Sequence, residues 1–112
     1  MKKFILFIMV LLTGCDSMCG SEQLSSQLSP NGKLKAISYL YDCGATTGFS
    51  TQVSILAVGD EITSSGNVIT TDGKNRIILK WLSDSELLLS NTKGLKVYKR
   101  VAELDGINVS YQ

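Results

Sequence analysis

The sequence predicts an all-β fold: a small antiparallel meander forming a sandwich or a partly open barrel, after an N-terminal signal peptide. Three observations carry that expectation. Beyond Lys33, short apolar runs alternate with Asp-Gly and Gly-rich breaks, and their apolar positions repeat every two residues, not every 3.6. The third is size, since 112 residues suffice for one small core and no second domain.

Alternation sets the clearest strands. Ile77, Leu79 and Trp81 fall on one face with Arg76 and Lys80 on the other, and Ile107, Val109 and Tyr111 alternate with Asn108 and Ser110. Further strands are expected over residues 34–41, 51–58, 86–90 and 95–101, with 67–70 a shorter candidate. Within 34–41 the apolar parity changes from Leu34 and Ala36 to Ile37, Tyr39 and Tyr41, which burial on both faces or a bulge would produce. Asp72-Gly73 and Asp105-Gly106 supply positive φ as primed hairpin turns require, and Asn31-Gly32 after Pro30 marks the entry to the first strand.

The N-terminus has a different composition. Residues 4–12 (FILFIMVLL) are apolar without a break and follow Lys2 and Lys3. At 1.5 Å rise per residue they cover about 14 Å of a ~30 Å hydrocarbon core, too short to span and suited to a signal-peptide core. The run ends in Leu12-Thr13-Gly14-Cys15, which resembles the lipobox of bacterial lipoprotein precursors. That resemblance implies cleavage before Cys15, diacylglycerol on the Cys15 thiol and, in many bacteria, an acylated amino group beside it. Several acyl chains at about 0.8 kcal/mol per buried CH2 make such an anchor effectively permanent. Residues 1–14 are then the signal peptide, 15–28 a lipidated tether rich in Ser and Gln, and 29–112 a single β-domain. Leu24 and Leu28 sit four apart and allow a short helical turn in the tether, which Ser29-Pro30 would stop. Removing the leader takes two of the 11 basic residues, leaving nine against ten acidic, a net charge of −1.

Two further stretches, Ser29-Pro30-Asn31-Gly32-Lys33 and Trp81-Leu82-Ser83-Asp84, resemble the blade turns of TolB-type β-propellers. Too few strands are present to close a propeller, so the resemblance implies shared turn chemistry and not a shared fold. The run from Ser29 through the Cys43-Gly44-Ala45-Thr46-Thr47 loop is also similar to a group of uncharacterised small bacterial envelope proteins, which implies a family without a function.

Catalysis is not expected. There is no His to serve as base or zinc ligand. Gly44 to Gly48 lacks the Gly-Lys-Ser/Thr of a phosphate loop, Thr46 and Ser50 have no activating partner, and the acidic residues Asp60, Glu61, Asp84 and Glu86 sit in expected turns. No catalytic residue, metal or cofactor is assigned. The charge balance offers no field for nucleic acid. Trp81 and Tyr39, Tyr41, Tyr98 and Tyr111 read first as core aromatics. Arg76, Lys80, Lys96 and Arg100 share outward parity on two strands and form a possible contact stripe for anionic headgroups or an acidic partner.

These readings converge on a lipid-anchored envelope lipoprotein, held to the membrane through Cys15 and acting as a non-catalytic binding or accessory module for a protein partner. The alternative is an inhibitor or immunity lipoprotein against an envelope-targeting hydrolase or toxin, using residues 42–50 as an inserting loop. In an enteric-type Gram-negative host, Asp16 after the lipidated Cys15 implies retention in the inner membrane facing the periplasm. With Cys15 consumed by lipid, Cys19 and Cys43 remain in an oxidising compartment, where an even pair is expected to form a disulfide.

Overall fold

The computed structural model describes residues 20–42, 48–62 and 65–112. Among the described residues nine strands form in chain order: β1 (Gly20–Leu28), β2 (Leu34–Asp42), β3 (Phe49–Ala57), β4 (Ile69–Asp72), β5 (Ile78–Ser83), β6 (Glu86–Ser90), β7 (Val97–Arg100), β8 (Glu103–Leu104) and β9 (Ile107–Tyr111). They make two sheets, one in the order β1-β2-β3-β4-β7 and one in the order β5-β6-β9-β8. Ala36, Val53, Ile55 and Ile69 of the first sheet share one buried cluster with Leu79, Leu87, Leu89, Ile107 and Val109 of the second. The fold is therefore all-β, and the shared core makes it a two-sheet sandwich.

β1 corrects the tether expectation. Residues 20–28 form neither a leash nor a helical turn; they pair antiparallel with β2 from Gly20↔Asp42 to Leu28↔Lys35. The pairing explains the weak pattern in the sequence. β1 lies on a sheet edge and is exposed along almost its whole length, so burial imposes little alternation on it, and an irregularity between Gln23 and Ser25 shifts what remains.

The parity change in β2 is burial on both faces, with residues 36–40 all buried. Even-numbered Ala36, Ser38 and Leu40 pair with Ile55, Val53 and Thr51 on the face toward the second sheet. Odd-numbered Ile37 and Tyr39 lie opposite Ser54 and Gln52, on the face where residues 66–67 fold back over β3. Gly66 donates its N–H to the Gln52 carboxamide, and Asn67 brackets Ile55, accepting from its N–H at 2.9 Å and donating to its carbonyl at 3.0 Å. A Cβ at position 66 would stand 2.7 Å from the Val53 carbonyl and 2.9 Å from that of Ile69, so glycine is required by this close approach.

The first four strands are a meander; the later strands are not. β4 ends in Asp72-Gly73, expected as a hairpin turn. Only Gly73 has positive φ there, and the chain leaves for the other sheet, with the Gly73 N–H donating to the Phe49 carbonyl at 2.9 Å. β7 returns to pair with β4, and β9 lies parallel to β6. The connection from β6 to β9, residues 91–106, is long enough for the crossover that a parallel pair needs. Asp105 and Gly106, with φ of 50° and 85°, make the expected primed turn between β8 and β9.

Candidate functional site

The two sheets do not meet along their whole length. A cleft of about 520 Å³ opens between the inner sides of β1 and β2 and the segment that enters β5. Its floor and walls are apolar: Leu40, Ile77 and Leu79 are buried, while Leu24 and Ile78, 44% and 50% exposed, flank them. Local sequence explains this placement. Alternation turns Ile77 and Leu79 inward, whereas Ile78 points away from the core yet lies beside the opening.

The polar groups of the cleft divide by depth. Ser25 on β1 and Ser38 on β2 satisfy each other at 2.7 Å, and the Asn75 carboxamide donates to Thr71 Oγ1 at 3.1 Å and to the Asp72 carbonyl at 2.8 Å. Among the described residues no buried side-chain nitrogen or oxygen lacks a partner. The remaining lining charge is cationic. Lys74 and Arg76 are exposed, no described residue lining the cleft is acidic, and Lys74 Nζ lies 4.5 Å from the centre of the Phe49 ring. Chemically the cleft is a hydrocarbon surface beneath two positive charges.

Beside it, the two stretches with propeller-like turns meet. Trp81 Nε1 donates to the Gln27 carbonyl on β1 at 2.9 Å, and the Asn31 N–H donates to Asp84 Oδ1 at 2.8 Å. The Asn31 side-chain oxygen accepts from Ser29 Oγ and from the Lys33 N–H, which shapes the turn between β1 and β2. The shared turn chemistry thus acts as a clasp between the edge strands β1 and β5, in a sandwich and not a propeller. Trp81 packs against the core, as its parity indicates, and fastens one end of the cleft.

The contact stripe is not a single surface. Lys80 lies on β5, an edge of the four-stranded sheet, and Arg76 precedes it at the cleft. Lys96 immediately precedes β7 and Arg100 is its last residue, at the opposite edge of the five-stranded sheet from β1. Strand order separates residues that share a parity, because β7 pairs with β4 and not with β5 or β6. Lys96 Nζ lies 5.7 Å from the Tyr98 ring centre, and the Arg100 guanidinium stacks 4.9 Å from that of Tyr111. Tyr111 donates its hydroxyl to the Val101 carbonyl at 2.6 Å and is pushed to a higher pKa chiefly by burial. Tyr98 is also raised, first through its hydrogen bond with Asp72. Tyr39 is wholly buried, shares a hydrogen bond of 3.2 Å with Ser54, and is raised by desolvation.

Cys15, Cys19 and Cys43 lie outside the described residues, as do residues 43–47 of the loop expected to insert into a partner. Among the described residues no group of three or more potential ligands could hold a metal ion, and no helix is long and apolar enough to cross a membrane. Sequence reasoning misses the cleft because three of its lining residues, Leu24, Ser25 and Gln27, belong to the strand that reads as tether. Leu24 and Leu28 are its only signal, and their spacing suggests a helix. No family model, curated protein or solved structure matches the chain.

Proposed function

We propose that the protein is a lipid-anchored lipoprotein of the bacterial cell envelope, a non-catalytic binding or accessory module held close against the membrane. The observation that carries the reading is the start of β1 at Gly20, five residues after the Cys15 of the lipobox. Between lipid and sheet the chain then has only residues 16–19, a span of roughly 17 Å fully extended. A leash of residues 15–28 would let the domain roam; β1 removes most of that length. A partner or ligand is accordingly sought in or against the bilayer, and Asp16 favours the inner membrane of an enteric-type host.

The β1–β2 register also supports a Cys19–Cys43 bridge. Gly20 is opposite Asp42, and in the sequence Cys19 immediately precedes the one and Cys43 immediately follows the other, so a disulfide would extend this pairing by one step. It would tie the strand nearest the anchor to its neighbour in the sheet.

The anchor is tested by replacing Cys15 with Ser and labelling growing cells with a clickable fatty acid. The native protein is expected to take the label and float with membranes, and the Cys15→Ser variant to lose the label and accumulate as uncut precursor or soluble protein. Equal labelling of both would end the lipoprotein reading.

A further inference from the structure

We propose that the cleft between β1, β2 and β5 binds a single-chain anionic amphiphile of the fatty-acid class, with its hydrocarbon against Leu24, Leu40, Ile77 and Leu79 and its carboxylate between Lys74 and Arg76. This adds a ligand to the binding-module reading, and it is measured independently of the anchor.

Depth determines the ligand's body. The cleft lies within the range of small-molecule pockets, roughly 300–1,000 Å³. Inside it the serine pair and Asn75 already have partners. A sugar or peptide inserted there would lose hydrogen bonds to water and find few replacements, whereas methylene groups lose none. The ligand's buried part is therefore apolar. Charge determines its head. Two cations stand at the mouth, and no carboxylate among the described lining residues neutralises them, so an anion gains from both and a cation is repelled by both. Arginine and lysine also keep their aliphatic stems on apolar surface while the charges stay at the water boundary, which suits them to this position.

Width sets the number of chains. β1 and β5 are clasped by the Trp81–Gln27 hydrogen bond at 2.9 Å, which limits how far the cleft can widen. One chain can enter beside the clasp; the two chains of a phospholipid would have to part it. The exposed apolar side chains Leu24 and Ile78 then have a purpose at the mouth, guiding a chain from a bilayer that the proposed anchor holds nearby.

The test uses the full chain in a neutral maltoside detergent, titrated with palmitate and observed by native mass spectrometry. One palmitate adduct is expected per protein. Charge reversal at both cations, Lys74→Glu with Arg76→Glu, is expected to weaken it at least tenfold without lowering the melting temperature appreciably, because both side chains are exposed. Leu24→Glu, an exposed change on the apolar wall, is expected to weaken it comparably. Since every variant meets the same micelles, partition into detergent cancels from these ratios. A hexadecyltrimethylammonium probe is expected to give no saturable adduct. The proposal is overturned if palmitate gives no adduct, if the charge-reversed protein binds equally well, or if the cationic amphiphile competes. An adduct seen only after Cys15→Ser would assign the cleft to the protein's own acyl chain and would likewise overturn it. Loss of fatty-acid labelling at Cys15 would leave all of these outcomes readable, so the anchor and the cleft fail separately.

Discussion

Tyr39 shows how a single residue ties packing to pH. Its ring is wholly buried on the outer side of β2, and its hydroxyl meets Ser54 at 3.2 Å. Burial disfavours the phenolate, so the folded pKa lies above the ordinary value of about 10. The unfolded chain releases this proton first. Below pH ~10 the tyrosine's contribution to stability is whole; as pH rises through the folded pKa, the native state holds more protons than the unfolded state and stability falls. Tyr39→Phe keeps the ring and removes the titrating group. At neutral pH it is expected to cost about 0.5–1.5 kcal/mol for the lost hydrogen bond. Above pH 10 its denaturation midpoint is expected to decline less steeply than that of the wild type. Equal alkaline slopes would show that Tyr39 does not govern this limb. Arg100 has a comparable local tie, since its stacking on Tyr111 joins the end of one sheet's edge strand to the other sheet.

Among the elements, β1 depends most on a neighbour outside its own sheet. Among the described residues it has only β2 as a hydrogen-bonding strand, and its other side is held at Gln27 by the indole of Trp81. Trp81→Phe would retain an aromatic ring against the core while deleting the donor. It is expected to cost roughly 1 kcal/mol globally and to speed hydrogen exchange in β1 far more than in β9. A uniform rise in exchange across all strands would mean that the indole supports the core and not the clasp. The same experiment examines the cleft, because β1 forms one wall of it.

For the whole molecule, the proposed anchor would fasten the sandwich at one corner. Gly20 and Asp42 pair at one end of the first sheet, and the proposed lipid site and Cys19–Cys43 bridge adjoin those two residues in the sequence. Closing the loop from residue 19 to residue 43 is expected to constrain the unfolded chain by about 3 kcal/mol, a large part of the stability of so small a domain. Non-reducing digestion of protein taken directly from the envelope is expected to yield the Cys19 peptide linked to the Cys43 peptide, with loss of the link on reduction. Free thiols at both positions would leave β1 held by its ladder and its clasp alone.

The all-β class, most strands and one primed turn are legible in the residues alone, because alternation and positive-φ residues act over a few neighbours. Ile77, Leu79, Ile107 and Val109 announced their burial in this way, and β6 occupies its expected range. Long-range packing sets what alternation cannot encode: which strands are neighbours. Parity placed Arg76, Lys80, Lys96 and Arg100 outward but could not show that β7 joins β4, in the other sheet from β5. Nor could it reveal β1, whose residues are stabilised by backbone pairing to β2 and so carry little hydrophobic pattern of their own. The candidate cleft depends on that pairing, since it exists only where the unpatterned edge strand lies across from the entrance to β5, and contacts between residues distant in sequence leave no local period to read.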